Sequence, residues 1–182
     1  MRDISMHILD IIGNSVRAGA SLVELTILED SAEDLLILKI KDDGCGMDDK
    51  TIKKALDPFF TSRKTRKVGL GIPLLQQNAQ LSEGDLTIES ELDKGTQIMA
   101  SFVHSHIDRP PLGDLAGTIS LIVSGNPNVD FLYFHQRDDE DFIFDSREVK
   151  KVLEGVPVTD PDVVKFMREM IKENLTEIGV EF

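Results

Sequence analysis

The sequence predicts an α+β protein: helices on a mixed sheet over residues 1–105, then a small α+β extension over 106–182. Three observations lead there. The opening segment repeats apolar residues with a helical period, two pairs of alternating runs read as antiparallel strands, and "HIDRPPLGD" (106–114) breaks every pattern before a new texture begins. Hydrophobic residues make up 41% of the 182, enough for a packed core rather than a disordered chain.

In the opening segment, Ile4, Ile8, Leu9, Ile11, Ile12 and Val16 gather on one side of a helix ending near Gly19. Asp10, Asn14 and Arg17 gather on the other. Such a face can simply meet water, or it can meet a ligand. "LVELTILE" (22–29) and "LLILKIK" (35–41) follow as strands across the polar turn "DSAED". "DDGCGMDDKTIKKALDPFF" is a glycine turn entering a short helix that Pro58 stops. Thr61 to Val68 has no period and reads as a loop. "GLGIPLLQQNAQL" restarts a helix, with Pro73 tolerated in its first turn. "GDLTIES" and "GTQIMASFV" form a second antiparallel pair.

Beyond the break, "TISLIVS" (118–124), "DFLYFHQ" (130–136) and "DFIFD" (141–145) read as short strands. "REVKKVLEG" is a short helix. The last helix is well signalled, with Thr159 or Asp160 as N-cap, Pro161 near N1 and Gly179 at C′. Its stripe of Val163, Val164, Met167, Met170, Ile171, Leu175 and Ile178 is expected to pack on strands within 118–144. The extension carries sixteen acids against eight bases and no catalytic constellation, which suits a partner-docking region.

Composition narrows the function. A net charge of −13 argues against nucleic acid, whose phosphates need a positive field. An anionic ligand therefore needs a local basic patch, and "RKTRK" (63–67) supplies one. No apolar run reaches the length of a membrane span, and the first ten residues carry charges where a signal peptide has its apolar core. A single cysteine fits a reducing compartment, so a cytoplasmic protein is expected.

Two glycine motifs carry chemistry. In "DDGCG", Asp42 ends a strand with Gly44 and Gly46 behind it, so a carboxylate can accept from an exocyclic amine such as that of adenine. In "GLGIP", Gly69 and Gly71 open a helix whose free N–H groups suit phosphate. Either alone is equally a plain turn or hinge.

Together with Asp10…Asn14, "DPFFTSRKTRK" and Gly95-Thr96, these boxes fall in one order over residues 4–103. The ordered set resembles the GHKL superfamily of gyrase, heat-shock chaperone ATPases, histidine kinases and mismatch-repair ATPases. "NSVRAGAS" and "KDDGCGM" are most similar to the mismatch-repair and gyrase versions, and "DPFFTSR" with "GLGIPL" to the histidine-kinase version.

The resemblance implies a Bergerat-type two-layer α/β sandwich holding ATP between helices and a lid. It implies that Asn14 coordinates Mg²⁺, a sensible role for an amide oxygen. It implies that Asp42 binds the adenine amine with support from Thr96, and that residues 57–71 form the lid. Arg17, Gly44 and Gly46, with Thr61, Arg63, Lys64, Gly69, Leu70 and Gly71, would complete the nucleotide site.

In family members that hydrolyse ATP, a glutamate four residues before the asparagine activates water. Asp10 has that charge with a reach shorter by roughly 1.5 Å, one C–C bond. Weak hydrolysis, or phosphoryl transfer to a protein hydroxyl, is therefore expected, unless Asp10 only organises metal-bound water. The expected function is a stand-alone regulatory kinase or slow ATPase acting on a protein partner or phosphoacceptor. The alternatives are a non-catalytic nucleotide-dependent binding module and a histidine-kinase catalytic domain acting in trans. Only three residues precede Ile4, so no dimerisation helix with a phosphoacceptor histidine is visible before Asn14. His7 reads as a surface or packing residue, His104 and His106 lack a third zinc ligand, and Cys45 reads as a small packing residue.

Overall fold

The computed structural model describes residues 3–57 and 71–181. Asp3 caps the first helix, α1 (Ile4–Arg17), accepting from the Met6 backbone N–H at 2.9 Å. Strands β1 (Leu22–Asp30) and β2 (Leu35–Asp42) form an antiparallel pair, and α2 (Asp49–Ala55) follows. Next come α3 (Gly71–Leu81) and a second antiparallel pair, β3 (Leu86–Glu91) with β4 (Gly95–Val103). The remainder is α4 (Leu115–Gly125), β5 (Asp130–Arg137), β6 (Glu140–Asp145), α5 (Ser146–Val152) and α6 (Pro161–Glu177).

Among the described residues the strands make one mixed six-stranded sheet in the order β3-β4-β2-β1-β5-β6. Every pairing is antiparallel except β1 with β5, which run parallel with Leu25 beside Tyr133. The two-residue side-chain period is plain in β1 and β2, where buried and half-buried positions alternate. Val23, Leu25, Ile27, Leu36, Leu38 and Ile40 form the buried set. Ile4, Ile8 and Ile11 of α1 join the same hydrophobic core, and so do residues of α3, α4 and α6.

One sequence expectation fails. Residues 118–124 are helical, inside α4, not a strand. The β-branched content of "TISLIVS" suggests a strand, but Leu115, Ala116, Ile119, Ile122 and Val123 are buried at a helical spacing. Asp114 starts the helix by accepting from the Gly117 N–H at 2.8 Å. Consequently α6 packs its buried Val163, Met167, Ile171 and Leu175 chiefly against a helix, α4, with a smaller contact to β6. Asp160 is the N-cap of α6, with Pro161 first in the helix and Gly179 left-handed at φ +80°.

Residues 106–182 thus continue the sheet begun by the first half. The backbone N–H groups of Ile4 and Ser5 donate to the carbonyls of Pro111 and Leu112, both at 2.9 Å, tying the start of α1 to the segment before α4.

Candidate functional site

Asp42 ends β2 directly opposite Thr96 of β4 in the antiparallel ladder, so strand register alone brings these two together. The Asp42 side chain is buried and held twice. Ser15 Oγ donates to Oδ2 at 2.6 Å, and the Gly44 N–H donates to Oδ1 at 3.0 Å. Thr96 Oγ1 lies 2.9 Å from Ser90 Oγ, which also accepts from the Met47 N–H at 2.7 Å. The carboxylate and the hydroxyl are therefore fixed in direction before any ligand arrives.

The glycine turn is shaped by neighbouring backbone. Gly46 sits at φ +65°, and a Cβ there would fall 2.0 Å from the Glu91 carbonyl oxygen. Gly95 sits at φ +104°, and a Cβ there would fall 1.9 Å from the Asp42 carbonyl oxygen. Both positions demand glycine, because the two loops that end β2 and begin β4 press together. Gly44 is snug against Ala18 instead, with Cβ contacts of 3.0 Å.

Asp10 and Asn14 face the same cavity from α1, one turn apart. The cavity measures about 630 Å³ and is also lined by Asp42, Thr96, Arg17 and Gly71. That size lies within the roughly 300–1,000 Å³ usual for small-molecule and cofactor sites. The guanidinium of Arg17 donates to Asn14 Oδ1 and holds this amide oxygen at the cavity wall; an amide oxygen is also the hard ligand type that Mg²⁺ takes. A Cβ on Gly71 would fall 1.9 Å from Asp10 Oδ2, which puts the carboxylate against the head of α3.

Asp10, Asn14, Arg17, Asp42, Gly46, Gly71 and Thr96 all line this cavity, and Gly44 supports it from behind Asp42. Thr61, Arg63, Lys64, Gly69 and Leu70 lie outside the described residues, as does the basic run to Lys67. Sequence reasoning missed Ser15 and Ser90. The signal for Ser15 was present: it falls four residues after Ile11, on the buried side of an apolar helix, where a polar group needs a partner.

Other singled-out residues lie elsewhere or differ from expectation. Cys45 is exposed at the cavity wall rather than packed, its Sγ 3.7 Å from the Gly46 carbonyl. His104 Nε2 binds Glu29 at 3.0 Å, and His106 stands 4.0 Å from Glu83 and from Asp108. Among the described residues no group of three histidine, cysteine or acidic side chains is arranged for a metal ion. Likewise, no helix among them is long and apolar enough to cross a membrane.

Comparison with known proteins agrees with this geometry. The family model of the histidine kinase-, DNA gyrase B- and HSP90-like ATPases matches residues 2–106. A putative sensor protein of Shewanella frigidimarina is 34% identical over 103 residues, covering 56% of this chain and 16% of that protein. The sensor histidine kinase YvrG of Bacillus subtilis is 27% identical over 97 residues, covering 51% of this chain and 17% of the kinase. The chain thus spans only about a sixth of the length of these relatives. Among solved structures, the N-terminal domain of a DNA repair protein superposes with a TM-score of 0.57 at 13% identity, over 79% of this chain and 52% of the other. That likeness speaks for the fold alone. The family match spans more than half of the chain and contains every described residue of the cavity, so the chain belongs to the histidine kinase-, DNA gyrase B- and HSP90-like ATPases.

Proposed function

We propose that the cavity binds ATP with Mg²⁺ and that the protein acts as a regulatory kinase or slow ATPase on a protein partner. One observation carries this reading: a doubly held carboxylate, Asp42, and an amide oxygen, that of Asn14, line one cavity of nucleotide size. Asp42 accepts from the adenine amine with Thr96 beside it, and Asn14 holds the metal through Oδ1. Bound Mg²⁺ would neutralise phosphate charge and orient the triphosphate. Asp10 is the general base or water-orienting group at the phosphate end.

A second reading has specific support. Several relatives are sensor histidine kinases, so the chain can supply the catalytic part that phosphorylates a separate acceptor protein. Both readings share the site and differ in the acceptor. The acidic extension, 106–182, is the proposed docking region.

Calorimetric titration tests the shared part. Asn14→Ala is expected to abolish Mg²⁺-dependent ATP binding while the fold survives, because the side chain is only partly buried on a polar face. Asp42→Asn is expected to weaken ATP more than GTP, since it sets an amide donor against the adenine amine. Unchanged Mg·ATP affinity in the first variant would sink the metal assignment, and equal losses for both nucleotides in the second would sink base recognition. Incubation with labelled ATP and candidate acceptor proteins then separates transfer from hydrolysis.

A further inference from the structure

Strands alternate their side chains, so half of those in the sheet point away from the helices. On that outward face Leu28 of β1 stands directly opposite Ile37 of β2, and Phe134 of β5 opposite Ile143 of β6. Phe134 also pairs with Thr26, which makes it the diagonal neighbour of Leu28. With Leu35 and Met99 they form an apolar stripe across β4, β2, β1, β5 and β6. Among the described residues none of these six joins the hydrophobic core, which lies on the helix side. Ile143 is 58% exposed and Met99 37%. A sheet face that meets only water is normally polar, so a stripe of this length marks a contact surface.

Charge points to what the surface meets. A net charge of −13 opposes self-association wherever the two copies present acids alone. This face carries both signs. Lys39 lies on β2, one strand to one side of β1, and Asp141 lies on β6, two strands to the other. Neither has an ion-pair partner among the described residues. A two-fold axis along β1 lays β2 of one copy over β5 of the other, and β4 over β6. Lys39 then turns toward the second copy's Asp141, and Met99 toward its Ile143.

The area is sufficient. Six strands about 4.8 Å apart, the central ones eight or nine residues long at about 3.4 Å each, make a face of roughly 650 Å², near the ~800 Å² per partner of a stable interface. The free edge is a poorer seam. Pairing β6 antiparallel with its own copy about its centre sets Glu140 against Asp145.

We propose that the outward sheet face binds a second copy of this chain, giving a symmetric dimer with two sheets packed face to face. The cavity lined by Asp10, Asp42 and Thr96 is on the helix side, so both cavities stay open in the dimer.

Sedimentation of the full chain over a dilution series tests this. The wild type is expected to run as a dimer that dissociates on dilution, and a monomer at every concentration overturns the proposal. Phe134→Glu is expected to be monomeric. Lys39→Glu and Asp141→Lys are each expected to weaken the dimer about tenfold, because symmetry repeats the new like-charge contact. Joined in one chain, the two swaps are expected to restore it. A folding defect cannot be repaired by a second charge reversal, so restoration reports the contact itself. A double variant weaker than either single one overturns the proposal. Leu121→Glu, 57% exposed on α4, is expected to leave the dimer intact. A dimer broken there and indifferent to the sheet-face variants overturns the proposal in favour of helix packing.

Discussion

Replacing Ser15 with alanine removes one hydroxyl and leaves the Asp42 carboxylate held by the Gly44 N–H. The expected result is roughly tenfold weaker binding of adenine nucleotides, the order of one charge-assisted hydrogen bond, with little change in folding. Calorimetry with ATP, ADP and GTP checks it, since a general collapse of the site weakens all three alike. At this scale the sequence was largely readable. Asp10, Asn14, Asp42, Gly71 and Thr96 are recognisable from motif order, and they converge because strand register and helix phase are read from the same letters. What stayed hidden was the supporting layer. Ser15 and Ser90 matter through distances, and no spacing along the chain reports a distance.

At the scale of elements, α4 shows why patterns mislead. Its seven central residues are rich in Ile, Val and Thr, and only the whole burial set from Leu115 to Val123 separates helix from strand. Another feature joins elements far apart in sequence. Glu29 of β1 accepts from His135 of β5 at 2.8 Å and lies 3.0 Å from His104, just past β4, while Tyr133 Oη lies 2.6 Å from His135 Nδ1. Burial alone would raise the Glu29 pKa, but the hydrogen bonds from His135 and His104 hold it below its ordinary 4.5. Burial, reinforced by the Glu29 charge, pushes the Tyr133 hydroxyl well above its usual range. A depressed folded pKa means the stabilisation is complete above pH 4.5 and fades as pH falls through the folded value. Glu29→Gln is therefore expected to lower stability by about 1–3 kcal/mol at pH 7 and to flatten the acid side of the profile. Denaturant unfolding at pH 7 and at pH 3–4 measures both, and a profile parallel to wild type would refute the assignment.

At the scale of the whole molecule, the composition suggested two parts, and the break at residues 106–114 is real as a change of texture. Yet one core runs through both, and Ile4, Ile8 and Ile11 share it with Leu115, Ile119, Met167 and Ile171. A chain ending near Ser105 would bare that apolar surface and leave β1 as a sheet edge. It is expected to aggregate or lose ATP binding, whatever the extension also contributes to docking; a soluble fragment with full affinity would show that residues 1–105 fold alone. This unity was illegible beforehand because pairing across about a hundred residues leaves no local trace. The parallel seam between β1 and β5 has one more consequence, in time rather than space. The ribosome releases β1 long before the strand that completes its far side, so every described residue of the cavity is made while β1 is still a bare sheet edge. A newborn chain is therefore expected to close its core only when the last helix arrives, well after the cavity residues themselves have been made.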